Sequence, residues 1–380
     1  MGMQHAALNI DAFDRLCQQT PQPEDYPLAA AIVKRVVCYD GEDLRAALAD
    51  DARRSRYQQE LARVLSDGPG VFVIKHFFAD TAVIDRHNQV VEQIFELQAN
   101  QPSADHFAKA GANGRIWNVI QKAALLDAPS YVAYYKNPLF GLVSEAWLGP
   151  HYQLTAQINV VRPDGQAQAP HRDYHLGFQE NSILKQYPPH VHHMSAMLTL
   201  QGAVAHTDMP LASGPTLLLP NSQRYPEGYL AWRDAEFKAY FEAHAVQLAL
   251  EQGDALFFNP ALFHAAGSNY TADFHRMANL LQVSSAFGRA MEAVDREAMC
   301  LAIYPELLRI KNALTENELA AVLDNTCEGY SFPTNLDTDP PSAGMAPQTQ
   351  KALMRESLNK ARDFDTFKAA LLAQSCKRRA

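Results

Sequence analysis

The chain has 380 residues, 47% of them hydrophobic and 20% charged, with a formal net charge of −9. That is globular composition, with length enough for a large core without disulfides or a structural metal. It excludes a collagen-like or disordered chain. The acidic balance argues against a nucleic-acid partner, which would need a basic stripe; the one basic run, Lys377, Arg378 and Arg379, reads as a solvated tail.

Along the chain, Pro21, Pro23 and Pro27 break up the first forty residues. Residues 42–66 read as one amphipathic helix carrying Leu44, Leu48, Leu61 and Leu65, stopped by Asp67-Gly68-Pro69-Gly70. Val71 to Ile74 is a short strand, and residues 80–98 are a second helix with Val83, Ile84, Val90, Val91, Ile94 and Phe95 at helical spacing. From Trp117 to Phe287 short apolar runs alternate with turn residues. Strands are expected at Gln153–Val161, Met194–Leu200, Thr216–Leu219, Val246–Leu250, Ala255–Phe258 and Met277–Val283, interrupted by a helical stretch at 225–244. Residues 290–325 return to helix, 331–348 form a Pro-rich loop, and a last helix spans about 349–374. The expected class is therefore mainly β with flanking helices (α+β). Its divisions are an N-terminal helical extension over 1–66, a β domain over 67–289 and a C-terminal helical extension over 290–380.

The five cysteines, Cys17, Cys38, Cys300, Cys327 and Cys376, contain no C-x-x-C pair, so a reduced, cytoplasmic location is expected. No apolar run reaches 18 residues, so no membrane span is expected.

The sharpest chemical feature is His171-Arg172-Asp173. In extended backbone, residues i and i+2 point the same way, so an imidazole and a carboxylate can meet one ion. A third ligand from elsewhere completes a facial triad, which suits Fe(II) and leaves coordination positions open. Alone the motif is weak in a chain with 14 histidines. Context strengthens it: Gly253-Asp254 leads a strand to Phe258, His264 follows, and Arg276 opens the next strand, with no other Arg between His264 and Arg289. Gln157 and Asn159 share one face of the strand before the motif, either lining a pocket or facing solvent; Thr199 is a weaker candidate of the same kind. The run His190-Val191-His192-His193 reads as a loop cluster rather than a second metal site. Residues 174–193, with Tyr174, His175, Phe178 and Tyr187, are expected to cover the mouth of the site, and Trp117 and Arg224 are pocket or packing residues.

Three blocks together resemble the phytanoyl-CoA dioxygenase family of 2-oxoglutarate oxygenases. They are Ala169-Pro170-His171-Arg172-Asp173, then Ser213-Gly214-Pro215-Thr216 with Leu219-Pro220-Asn221-Ser222, then Gly253-Asp254 through His264, Gly267, Asn269 and Arg276. The resemblance covers about residues 150–287, with weaker support from 67–100. It implies a double-stranded β-helix (jelly-roll or cupin-like) core. It implies Fe(II) held by His171, Asp173 and His264, with 2-oxoglutarate and O2 as co-substrates. It implies that Arg276 grips the distal carboxylate of 2-oxoglutarate, a task that suits a guanidinium fork. Ala266 stands where such enzymes often carry a hydroxyl residue, so Ser268 or a neighbouring strand is expected to supply it. The carboxylate at Asp173 favours hydroxylation, desaturation or ring formation over halogenation, and the expected substrate is a small organic molecule. Two rivals stand beside this reading: a barrel metalloenzyme that does not use 2-oxoglutarate, and a non-catalytic binding protein on the same fold.

Overall fold

The structure is a computed structural model, and it describes residues 5–98, 113–331, 336–341 and 344–378. Ten strands run in chain order: β1 Ala31–Val33, β2 Val36–Asp40, β3 Val71–Lys75, β4 Asn113–Ile116, β5 Gln153–Val161, β6 Thr199–Ala205, β7 Leu217–Leu218, β8 Ala255–Phe258, β9 His264–Ala265 and β10 Arg276–Ser284. Eight form one sheet in the order β1-β2-β3-β8-β6-β10-β5-β4. Its pairs are antiparallel except β2 with β3. Opposite it, β7 pairs with β9 in a small second sheet, widened by single bridges His171↔His264, Leu218↔Val246 and Met209↔Leu250. The two sheets form the double-stranded β-helix.

Side-chain alternation divides the large sheet into two faces. Phe72, Ile74, Phe257, Leu200, Val204, Leu281, Val283, Ala156 and Ile158 point outward into a core shared with the helices. Each such fully buried large side chain contributes about 1.5–3 kcal/mol. Val71, Val73, Leu256, Phe258, Ala203 and Ala278 point inward, toward Met209, Leu218, Leu250 and Leu262. Helical cover exceeds the β scaffold, 46% helix against 15% strand. Helix Asp51–Ser66 packs on helix Leu139–Leu148, tied by Arg54 to Glu145 at 2.5 Å. Helix Arg296–Ile310 packs on helices Val119–Leu126 and Ala128–Tyr135.

Several elements depart from the sequence reading. The helix expected over 42–66 is two, Gly41–Ala47 and Asp51–Ser66, because Asp50 accepts from the amides of Ala52 and Arg53 and starts a new helix. Met194–Leu200 is not a strand. Pro189 begins a helix that runs to Met197, and β6 starts only at Thr199. Val246 and Leu250 make single bridges rather than a strand. The helical stretch at 290–325 divides at Thr315, whose capping box with Glu318 opens helix Glu316–Thr326. The last helix is two, Gln350–Asn359 and Phe364–Arg378. The stretch expected as an N-terminal helical extension supplies β1 and β2 to the large sheet. Part of the Pro-rich 331–348 stretch, and Arg379, lie outside the described residues. Among the described residues no helix is long and apolar enough to cross a membrane.

Candidate metal centre and active site

His171 and His264 face each other across an antiparallel bridge. The amide of His171 donates to the His264 carbonyl at 3.0 Å, and the amide of His264 returns the bond at 3.2 Å. This pairing stands the two imidazoles side by side, ring centres 4.4 Å apart. Asp173 lies two residues along, pinned by its amide to the Pro260 carbonyl at 3.0 Å. Each imidazole has its Nδ1 against a carbonyl two residues back, His171 to Ala169 at 2.8 Å and His264 to Leu262 at 2.9 Å. A carbonyl only accepts, so each Nδ1 carries a proton, and Nε2 is the ring nitrogen turned toward Asp173. Those Nε2 atoms sit 3.7 Å (His171) and 3.5 Å (His264) from the Asp173 carboxylate. All three residues are buried. One donor atom from each lies within 4.8 Å of the others, and no other such group occurs among the described residues. An ion with bonds of about 2.1 Å has neighbouring ligands about 3 Å apart and opposite ones about 4.2 Å apart. The observed spacing therefore suits one shared ion.

Burial pushes the Asp173 carboxyl up, but His171, His264 and a hydrogen bond from Gln201 together outweigh it and hold the group below the usual carboxylate range. Asp173 is thus an anion, and its Oδ1 has no hydrogen-bond partner. Arg172 points the opposite way. Its Nη2 donates to the carbonyls of Ser222 at 2.6 Å and Tyr225 at 2.9 Å, and its guanidinium lies over Tyr229 and Phe263. The left-handed backbone of Tyr174 (φ 66°) and His175 (φ 40°) then turns the chain sharply after Asp173. The Tyr174 hydroxyl accepts from the Met291 amide at 3.0 Å, anchoring the segment after β10.

A cavity opens over the triad. Inward positions of four strands build its wall at period two: Gln157 and Asn159 on β5, Gln201 and Ala203 on β6, Leu256 and Phe258 on β8, and Arg276, Ala278, Leu280 and Gln282 on β10. Arg276 is 5% exposed, and burial lowers its pKa to about 10. No carboxylate pairs with it among the described residues, and its Nη1 has no hydrogen-bond partner. A buried cation without an anion is costly.

The other sequence candidates are placed variously. Gln157 accepts from Arg115 Nη1 at 3.0 Å, while the buried Asn159 Oδ1 has no partner. Thr199 is buried at the start of β6, opposite Ser284, and does not line the cavity. Trp117 and Phe178 line the cavity; Arg224 instead binds Gln19 Oε1 at 2.5 Å. The histidine run lies on helix Pro189–Met197, with His192 buried against the Leu184 carbonyl at 3.0 Å and His190 and His193 exposed. It is a helix segment rather than the expected loop. Ser268 accepts from the Ala167 amide, whereas Thr216, opposite Ala266 by the β7–β9 register, lines the cavity. A hydroxyl residue just before β7 thus lines the cavity where Ala266 carries none. Sequence reading missed Arg115, Gln168, Gln201 and Gln282, all in the cavity wall. The polar residues interrupting apolar β6 and β10 were the one available signal.

A β-helix carrying a buried His-Asp-His group, with Arg276 in the same cavity wall, has what a non-haem iron oxygenase of the 2-oxoglutarate type requires. A family comparison agrees: residues 66–278 match phytanoyl-CoA dioxygenase (PhyH). The chain belongs to that family, and it is an iron- and 2-oxoglutarate-dependent oxidoreductase. A comparison with curated protein sequences finds no match. Among solved structures, the chain is similar to SnoN, a non-haem α-ketoglutarate-dependent epimerase of nogalamycin biosynthesis. The two share 17% identity over 62% of this chain and 85% of that one, with a TM-score of 0.44. The carbocyclase SnoK of the same biosynthesis is 20% identical over 60% and 84%, with a TM-score of 0.46. HygX from Streptomyces hygroscopicus, with nickel and 2-oxoglutarate bound, is 13% identical over 62% and 90%, with a TM-score of 0.44.

Proposed function

We propose that His171, Asp173 and His264 hold the Fe(II), that Arg276 grips the distal carboxylate of 2-oxoglutarate, and that the enzyme hydroxylates a small organic molecule. The observation that carries this is the convergence of three buried donor atoms with a buried guanidinium on one cavity wall. Two imidazole nitrogens and one carboxylate oxygen suit Fe(II). The unsatisfied Nη1 of Arg276 suits an incoming carboxylate, which would neutralise the charge where no protein group among those described does. When bound, iron and co-substrate supply an oxidant, with 2-oxoglutarate converted to succinate and CO2. The protein's share is to exclude water and orient the reactants. Leu256, Phe258, Ala278 and Leu280 make the floor apolar, and the hydroxyl of Thr216 with the amides of Gln157 and Asn159 offers polar anchors for the co-substrate. Trp117, Phe178 and Met291 border the substrate's side.

Asp173 supports hydroxylation over halogenation, because it fills the position that a halide would need. The catalytic unit in this reading is residues 67–289, its large sheet continued by β1 and β2 from the preceding stretch, with a helical extension after it. The net charge of −9 supports a small molecule over a nucleic acid as partner, and five cysteines free of disulfides support a cytoplasmic location. Incubation with Fe(II), 2-oxoglutarate and air tests the proposal. Succinate should form, faster when a metabolite extract supplies the substrate, and a substrate-derived product should appear 16 Da heavier. No succinate under any condition would overturn it.

A further inference from the structure

The two oxygens of Asp173 are treated differently. Oδ2 accepts from Gln201 Nε2 at 2.6 Å, the short distance of a charge-assisted bond. Oδ1 has no hydrogen-bond partner and lies 3.7 Å from His171 Nε2. An ionised carboxylate only accepts, so Gln201 must present its amide nitrogen to it. The same nitrogen donates to Gln282 Oε1 at 3.2 Å. Gln282 sits directly opposite Gln201 in the β6–β10 register, and both are buried. A pair of carboxamides on adjacent strands therefore clamps Oδ2, which also lies 3.5 Å from His264 Nε2, and leaves Oδ1, the oxygen nearest His171, with no hydrogen bond to occupy its lone pairs.

We infer that Gln201, backed by Gln282, is a positioning residue that restricts Asp173 to a single ligating oxygen, Oδ1. Without the clamp the carboxylate can turn both oxygens to the ion, as carboxylates do when nothing holds one of them. That would take a coordination position which 2-oxoglutarate and O2 need. Gln201 thus sets how many positions stay open, not only how tightly the ion binds. The inference rests on the triad's being the metal site, as proposed above.

The test uses Co(II) as a stable probe, read by calorimetry and by visible ligand-field absorption. Gln201→Met keeps the side chain's length but removes the donor. Gln282→Met leaves the donor in place but unbacked. Circular dichroism and thermal unfolding of the metal-free proteins check that each variant folds. The wild type should bind one Co(II). Gln201→Met should change its affinity about 10–100-fold, the usual effect of losing a ligand's outer hydrogen bond, and should alter the absorption spectrum as the coordination number changes. Gln282→Met should shift both in the same direction by less. A folded Gln201→Met with wild-type affinity and spectrum would overturn the inference; if that variant does not fold, an unchanged affinity and spectrum in Gln282→Met would do so. A wild type that takes up no cobalt would instead overturn the metal-site reading, and the inference with it.

Discussion

His171 and His264 exchange both backbone hydrogen bonds across the mouth of the small sheet, which makes the proposed metal site a property of strand pairing. The amide-to-carbonyl distances are 3.0 and 3.2 Å, and the imidazole centres lie 4.4 Å apart. Ninety-three positions separate the two residues, yet one bridge fixes them as neighbours. A site built on backbone pairing is rigid before the ion arrives.

In the proposed role, Arg276 is stabilising only when the co-substrate's carboxylate is bound. Replacing it by Met removes a buried cation that no carboxylate pairs with among the described residues. Arg276→Met should therefore stabilise the ligand-free protein by about 1–3 kcal/mol. The wild type should gain about 2.7 kcal/mol from 2-oxoglutarate at a hundred times its Kd, with metal present, and the variant should gain nothing. Urea unfolding with and without the co-substrate measures both. A variant less stable than the wild type in the absence of ligand would show that Arg276 has a structural partner.

Gly228 is required by Arg172. A Cβ at position 228 would fall 1.8 Å from Arg172 Cζ, and that guanidinium is held by two carbonyls and two rings. It cannot retreat without losing those contacts. Gly228→Ala should cost about 1–3 kcal/mol in stability, the usual range for overpacking. Metal affinity should also fall, because Arg172 lies between two of the proposed ligands. An alanine variant with unchanged unfolding would contradict the tight packing.

Glu292 follows Met291 at the cavity rim. Its Oε1 accepts from the Asn118 amide at 2.5 Å and its Oε2 has no partner. Burial pushes its carboxyl from the ordinary 4.5 up to about 7, against the smaller opposing effects of Asn118, Lys122 and Arg115. The folded state thus holds this proton more tightly than the unfolded chain does. Its contribution to stability is full below pH 4.5 and is lost as the pH rises toward and through 7. Glu292→Gln keeps the acceptor for Asn118 and removes the charge. It should be more stable than the wild type at pH 8, with the difference shrinking as the pH falls to 5. Thermal midpoints across that range report it, and parallel profiles for the two proteins would contradict it.

The proposed ligand triad was legible in the sequence as a candidate because its chemistry is concentrated in short segments. His171 and Asp173 lie two apart, and His264 and Arg276 bracket one turn between strands. Gln201 and Gln282 were not legible. Each is a lone amide in an apolar strand, and their partnership with Asp173 exists only after β6 and β10 pair. The three helices between Val119 and Leu148 were missed because they are apolar on most sides, so no amphipathic stripe marks them. The apolar run Met194–Leu200 reads as a strand, whereas Pro189 opens a helix that continues to Met197. Thr216 was within reach of sequence reasoning, since it stands in the second family block, but its place opposite Ala266 needed the β7–β9 register.

The most direct test of the central claim is an anaerobic titration of the Fe(II)-loaded protein with 2-oxoglutarate, followed in the visible range. Chelation of the metal by the co-substrate's carboxylate and keto oxygen gives a charge-transfer band. The wild type should develop it, Arg276→Ala should lose it at the same co-substrate concentration, and His264→Ala should lose it with the metal. A band that is absent from the wild type, or that persists undiminished in Arg276→Ala, would contradict the account.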